Sequence, residues 1–246
     1  MPLDAPPYPR AEEVRDHVIR YQWDDWDANV DFQDLDPERR AILGRLSQRG
    51  TLAMAIATAE WIVYRYASLF QHGLPWQFLE SAWAQLIDGR YGQLTIEGDT
   101  DRETWAGPVR RPIWRALYFV EFSIFEKEHD RIPELGAAHL IALAEYVMTD
   151  SGPFQQWCRR VLDRLQGMYP RGAEDHLGDV IPREALDPDG EFDPNDTEFL
   201  MNQFLSGLDY RANPFLSSPE KMHQLGFKGT PYVFRLVDDR RARAEW

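Results

Sequence analysis

The sequence has almost no cysteine and lacks the short motifs of common catalytic and cofactor sites. Cys158 is the only cysteine among 246 residues, so neither an internal disulfide nor a zinc site of cysteine pairs can form. There is no Walker-type phosphate loop, no dinucleotide-binding glycine pattern, no His-Glu-x-x-His sequence and no nucleophile elbow. These absences favour a protein that uses no cofactor and is not an enzyme.

Long hydrophobic runs are also missing. The most apolar stretches are interrupted by Glu60 and Arg65, or by Arg115 and Glu121, well short of the ~20 residues that a membrane span needs. Residues 1–13 contain neither the basic nor the apolar region of a signal peptide. We therefore expect a soluble cytoplasmic protein that has no membrane partner.

Apolar residues are nevertheless abundant enough for a folded core. They make up 43% of the chain and include nine tryptophans, which excludes disorder of the whole chain. No Pro/Gly/Ser-rich linker divides the sequence, so we expect a single helical domain over residues 1–246. Its expected parts are an N-terminal helix with an acidic loop (1–35), a helical core (36–168), and an acidic loop, C-terminal helix and strand-like tail (169–246).

The stretch 36–70 predicts the central element of the fold. Asp36 can cap a helix N-terminus, and Pro37 suits the first helical position because a missing N–H costs nothing there. Over residues 52–63 the side chains are apolar nearly all round the helix, and Glu60 is the only charge. A helix of this kind must be enclosed by other elements. The sequence therefore predicts a mainly α, single-domain helical bundle around a buried central helix at about 36–70.

Apolar residues recur at helical spacing in further segments, which we predict to be helices. These segments are about 11–22, 76–87, 113–129, 133–148, 154–168 and 197–210. Residues 93–97 and the tail 229–237 alternate apolar and polar residues, so at most a small two-stranded β-ribbon is expected where they pair. The Pro/Gly/Asp-rich stretch 170–196 is predicted to be a long loop.

Negative charge is concentrated in two segments. Residues 24–36 carry six aspartates and no basic residue, whereas residues 171–200 carry ten acids and two arginines, so their net charges are -6 and -8. Together they account for the net charge of -14 of the whole chain. Such acidic segments disfavour direct nucleic-acid binding, which needs a basic surface, and favour a basic protein or a cation as the partner.

Both acidic segments contain aromatic residues, and this mixture is typical of a protein interface. Aromatic side chains supply buried area, while carboxylates around them attract a basic partner and speed its encounter. The predicted partner-binding residues are Trp23, Asp24, Asp25, Trp26, Asp27, Asp187, Asp189, Glu191 and Asp193, with Phe32, Phe192 and Phe199 as further aromatics. The alternative is that the aromatic residues fold into the core and the acids form a solvated face.

The second acidic segment also resembles a calcium-binding EF-hand loop. Oxygen-bearing side chains occur at 187, 189, 191, 193 and 195, and Glu198 is the twelfth residue from the start. However, Phe192 stands where such a loop needs glycine for a sharp turn, and two prolines interrupt the segment. An acidic loop that ends in a helix cap formed by Asn195 and Glu198 is the simpler interpretation.

Acids inside the apolar helices suggest a different function, that of a metal-dependent enzyme. The candidate ligands are Glu60, Glu121, His139 and Glu145. Di-iron bundles use such residues, but their repeated Glu-x-x-His spacing occurs here only once. The simpler interpretation is a set of internal salt bridges, for example of Glu60 or Glu121 with Arg115 or Arg65, because an unpaired buried charge costs several kcal/mol.

In general character, an acidic, tryptophan-rich helical protein without catalytic motifs resembles bacterial toxin-immunity and inhibitor proteins. The resemblance implies a non-enzymatic cytoplasmic protein that neutralises or regulates a basic protein, such as a toxin or a nuclease, by occluding its surface. Two alternatives stay open. One is the metal-dependent enzyme with its carboxylate and histidine site in the helical core, and the other is a scaffold subunit that forms homo-oligomers through its apolar helices.

Overall fold

The computed structural model describes residues 14–15, 18–25, 35–93, 104–125 and 132–244. Within these ranges the chain forms nine α-helices and no β-strand, which confirms the predicted mainly α fold. The helices are α1 (Pro37–Leu43), α2 (Gln48–Arg65), α3 (Leu74–Ile87), α4 (Arg110–Phe125), α5 (Ile132–Val147), α6 (Gly152–Met168), α7 (Thr197–Gly207), α8 (Pro219–Gln224) and α9 (Leu236–Ala244). Most of the predicted helical segments are therefore confirmed.

The central helix is shorter than predicted, because residues 36–70 form two helices. Asp36 caps α1 as predicted, and its carboxylate accepts hydrogen bonds from two backbone N–H groups of the first turn. The chain leaves helical geometry after α1, and Ser47 starts α2 with its hydroxyl oxygen accepting from the N–H of Gly50. The prediction of one continuous helix is therefore wrong at its N-terminal end.

The interruption between α1 and α2 lies where the chain pairs with the segment that follows α6. The N–H of Ser47 donates to the carbonyl of Tyr169 at 3.0 Å, and the N–H of Arg171 donates to the carbonyl of Arg45 at 2.8 Å. These bonds satisfy backbone groups that a helix would otherwise have used. Because the two partners are distant in sequence, local helical periodicity could not reveal the break.

α2 is buried along its length, as the sequence predicts. Every residue from Arg49 to Arg65 is buried, and α3, α4, α5 and α6 pack around the helix. Trp61 lies about one turn before its C-terminal end, with the ring centroids of Phe154 and Trp157 of α6 at 5.7 and 5.4 Å, distances at which aromatic pairs attract. None of the helices in the described ranges combines the length and the apolar character that a membrane span requires.

The predicted N-terminal helix at 11–22 is wrong in its second half, because residues 18–25 are not helical. They lie against the C-terminal ends of α2 and α5. Arg65 donates to the carbonyl of Val18 at 2.6 Å, and the hydroxyl of Tyr146 donates to a second carbonyl of the segment. Side chains of α2 and α5 thus satisfy backbone groups that helical bonds would otherwise have satisfied.

The strand-like prediction for the tail is also wrong, because the tail ends in helix α9. Glu198 supports the start of this helix, since its carboxylate accepts the N–H of Leu236 at 3.0 Å. Residues 91–93 pair with 215–217 through two backbone hydrogen bonds of 3.0 and 2.8 Å, and not with the tail. Residues 94–97 of the predicted ribbon lie outside the described part of the chain.

The stretch 170–196 is a loop as predicted, and it contains short 3₁₀ turns at Arg183–Leu186 and Pro194–Asp196. The first turn is anchored in the core, where Leu186 is fully buried. The indole N–H of Trp157 donates to the carbonyl of Leu186 at 2.9 Å. This anchoring places Arg183 against α2 and leads the acids that follow to the surface.

Candidate protein-binding surface

The first group of predicted partner-binding residues, 23–27, is called the first patch. Part of it forms hydrogen bonds within the chain. Trp23 is half-buried, and its indole N–H donates to the carboxylate of Asp25 at 3.1 Å. The same carboxylate accepts a backbone N–H just before α4 at 3.0 and 3.1 Å. Asp24 is exposed, and Trp26 and Asp27 lie outside the described residues. This patch therefore combines an internal anchor with an exposed carboxylate.

The second group of predicted partner-binding residues, 187–193, is called the second patch. Two arginines of α6 bind its first half, residues 187–190. Arg164 donates to several carbonyls of the loop, including that of Gly190 at 3.2 Å, and Arg160 forms an ion pair with Asp189. The carboxylate of Asp187 accepts the N–H of Asp189 at 3.0 Å. Sequence reasoning missed both arginines, because a charged residue on the outer face of an amphipathic helix gives no sign of its partner.

The second half of this patch leads to an unusually exposed aromatic side chain. Phe199, in the first turn of α7, is 69% exposed and is the most exposed large hydrophobic side chain in the described ranges. Glu191, Asp193 and Asp196, which precede it in the chain, are exposed as well. Phe192, by contrast, packs against the core. We call Glu191, Asp193, Asp196 and Phe199 the Phe199 surface.

The cap that the sequence predicts at Asn195 and Glu198 is wrong. The carboxylate of Asp193 accepts the N–H of Asn195 at 2.9 Å. Asp193, and not Asn195, therefore provides the side-chain oxygen in the turn before α7. Glu198 instead caps α9, as described above. Glu198, the neighbour of Phe199 in the chain, therefore connects α7 to the C-terminal helix α9. The two helices are distant in sequence, so no local pattern could predict this contact.

A pocket lies against α7, the helix that carries Phe199. It has a volume of about 250 Å³, and its lining includes Trp83, Arg183, Glu184, Leu200, Gln203 and Phe204. We call it the α7 pocket. Phe199 and Gln203 are four positions apart on α7, so they lie on the same side of the helix. Phe199 is not part of the lining itself, but Gln203, one turn away from it on α7, is.

A buried ion pair lies behind the α7 pocket. Glu60 of α2 is 0% exposed, and one of its carboxylate oxygens accepts from the guanidinium of Arg183 at 2.8 Å and from the indole N–H of Trp83 at 2.9 Å. The side chain of Arg183 is 14% exposed. The prediction that buried acids form internal salt bridges is therefore confirmed for Glu60. Its partner Arg183 comes from a loop, where no helical spacing could identify it.

The other candidate metal ligands, Glu121, His139 and Glu145, lie in different environments. Glu145 forms a bidentate pair with Arg39, with both N···O distances at 3.0 Å. The ring of His139 stacks on Phe119 at a centroid distance of 4.9 Å, and Glu121 is half-buried. Among the residues that the structure describes, no group of three or more His, Cys, Asp or Glu side chains could hold a metal ion.

Acidification is expected to destabilise the fold through His139. Burial lowers the pKa of its imidazole, and the guanidinium groups of Arg40 and Arg115 lower that pKa further. The unfolded chain therefore binds the proton more readily. The stabilising contribution of His139 is complete above the ordinary histidine pKa of about 6.5 and is lost as the pH falls below it.

Urea unfolding at about pH 7.5 and about pH 5.5 measures this effect. The loss of unfolding free energy between the two pH values should be smaller in His139→Gln than in the wild type, because the variant has no imidazole to protonate. Equal losses in the two proteins would contradict the prediction.

Cys158 is expected to be inert to thiol reagents in the folded protein. It is 2% exposed on α6, and burial raises its pKa to about 12. Because the thiolate is the reactive form, both access and ionisation are suppressed near neutral pH. A chromogenic thiol reagent should react only as fast as the chain unfolds, and at once in denaturant. Rapid stoichiometric reaction of the folded protein would show that α6 is not packed as described.

The candidate site therefore consists of an exposed phenylalanine with acidic neighbours and an adjoining pocket that is backed by a buried ion pair. Sequence reasoning identified the acids and Phe199. It missed the α7 pocket, because the walls come from α3, α7 and the loop between α6 and α7. Comparison with known proteins found no matching family model, no matching curated protein and no matching solved structure.

Proposed function

We propose that this protein is a non-enzymatic binding protein that occludes a basic surface of another protein. The observation that carries the proposal is Phe199, which is 69% exposed within an acidic segment of net charge -8. Burying such a side chain at an interface contributes roughly 1.5–3 kcal/mol, and the carboxylates speed encounter with a basic partner. Neutralisation of a toxin or a nuclease, in the manner of immunity and inhibitor proteins, is a role that this combination suits.

The support beneath the Phe199 surface strengthens the proposal. Arg160 and Arg164 hold the preceding loop on α6, as described above. On the other side, the side-chain amide of Asn202 in α7 donates to the carbonyl of Phe234 and accepts its N–H, both at 2.9 Å. A surface that is already held in place loses less conformational entropy on binding than a flexible one.

Capture from a lysate of the source organism, at low and at moderate salt, tests the proposal. We expect a basic protein that is retained at low salt and released as salt screens the carboxylates. Retention should be lost with Phe199→Ala and with the triple variant Glu191→Gln/Asp193→Asn/Asp196→Asn.

Leu225→Ala is the matched control for the loss of an exposed apolar side chain. Leu225 is 47% exposed after α8 and lies outside the acidic segment, so its replacement should leave capture unchanged. Failure to capture a basic protein, or equal capture by Phe199→Ala and Leu225→Ala, would count against the proposal.

The first acidic segment is expected to contribute to the rate of association. Replacing Asp24, Asp25 and Asp27 together by Asn should slow association with the captured protein and weaken its salt dependence, because rim charges act mainly on encounter. Since Asp25 also anchors the chain before α4, the single variant Asp24→Asn tests steering while that anchor is kept. Unchanged association rates in both variants would confine the interface to the Phe199 surface.

A further inference from the structure

We infer that the α7 pocket receives an arginine side chain of the basic partner. The inference rests on the proposed function and specifies the group that the surface recognises. Three features of the pocket carry it: its size, its charge and its position beside Phe199.

The size and walls of the α7 pocket suit one long side chain. Its volume of about 250 Å³ lies below the ~300–1,000 Å³ of clefts that hold drug-sized ligands. Leu200 and Phe204 are half-buried on α7 and lie one turn apart, so they form an apolar wall. Arginine packs its methylene groups along such a wall while its guanidinium stays at the polar mouth.

The charge of the α7 pocket favours a cation over an anion. Arg183 brings a positive charge to the wall, but Glu60 neutralises it at 2.8 Å. Glu184, exposed in the same lining, leaves these three groups with a sum of -1. The segment 171–200, to which Arg183 and Glu184 belong, has a net charge of -8. A guanidinium can donate two parallel hydrogen bonds to a carboxylate such as that of Glu184, which a single ammonium cannot reproduce.

The position of the pocket allows one partner to engage it and Phe199 together. Gln203 is exposed, lines the pocket and lies one turn from Phe199. Protein interfaces typically place an arginine or an aromatic residue in a pocket and surround it with weaker contacts. The partner would therefore present an apolar patch to Phe199 and an arginine next to that patch.

The probe for this inference is N-acetyl-arginine amide, which carries the side chain without charged termini. Titration into the full chain at low salt is followed by NMR at the indole N–H of Trp83 and the side-chain amide of Gln203. We expect saturable shifts of both signals with a dissociation constant on the order of 1 mM. N-acetyl-norleucine amide, which lacks the charge, should give no saturable shift.

Variants locate the bound guanidinium. Glu184→Gln should weaken binding of the probe by about tenfold or more, because a charge-assisted hydrogen bond is lost. Leu200→Trp fills the pocket and should abolish the shifts, and its circular dichroism spectrum checks that the chain still folds. Glu174→Gln is the matched control, since Glu174 is an exposed acid of the same segment outside the pocket lining.

Three outcomes would overturn the inference. These are the absence of saturable shifts with the arginine probe, equal binding by wild type and Leu200→Trp, and saturable shifts of the same signals with acetate, which would indicate an anion site at Arg183. If the probe fails while Phe199→Ala still releases the captured protein, only the pocket inference fails. If the probe fails and no basic protein is captured, the proposed function fails as well.

Discussion

Replacing Arg183 by methionine is expected to destabilise the fold by about 3–5 kcal/mol, because the buried carboxylate of Glu60 then loses its ionic hydrogen bond to the guanidinium. Glu60 is 0% exposed, and Arg183 supplies its 2.8 Å ionic hydrogen bond. The indole of Trp83 would still donate to the same carboxylate, but a neutral donor does not replace a cation in a buried site. Urea unfolding followed by circular dichroism measures the loss.

Two further variants separate the loss of the ionic partner from other effects. Arg159→Met removes the same charge from the exposed face of α6 and should change stability by no more than about 0.5 kcal/mol. Glu60→Gln combined with Arg183→Met should recover part of the loss, because the buried carboxylate charge is then removed together with the guanidinium. If Arg183→Met is no more harmful than Arg159→Met, the ion pair does not carry the role described.

Trp61→Ala is expected to cost about 3–5 kcal/mol, since it removes the largest side chain at the centre of the bundle. Trp61 is fully buried, and its contacts with Phe154 and Trp157 join α2 to α6. The cavity left behind lies between rigid helices and cannot close without moving them. Thermal and urea unfolding together measure the change.

Trp76→Ala is the matched control for this prediction. Trp76 is also a tryptophan, but it is only half-buried at the start of α3, so its truncation should cost clearly less. Trp61→Phe should retain most of the stability, because an aromatic ring still contacts α6. A loss for Trp61→Ala no greater than that for Trp76→Ala would contradict the central packing role of α2.

Most helices could be predicted from the sequence because their signals are local. The apolar spacing over 76–87 and 154–168 corresponds to α3 and α6 within a few residues, and the cap at Asp36 depends on groups one turn away. The errors lie where distant parts of the chain meet. Residues 18–22 belong to the amphipathic pattern of 11–22, yet side chains from α2 and α5 bind their backbone carbonyls.

In the candidate site, too, the local features could be predicted from the sequence and the tertiary contacts could not. Charge and aromatic content are properties of composition, so the acids and Phe199 could be identified without knowing the fold. The α7 pocket depends on Arg183 reaching Glu60 from a loop, and only tertiary structure shows that contact. The cap at Glu198 also failed as a local prediction, because its carboxylate serves α9 instead.

The pairing of Glu60 with Arg183 has a consequence for synthesis of the chain. The two residues are 123 positions apart, and a ribosome that adds roughly 5–20 residues per second needs about 6–25 seconds to make the intervening chain. During that time the carboxylate of Glu60 exists without its ionic hydrogen bond to Arg183. This part of the core can therefore reach its final arrangement only after the loop behind α6 has been made.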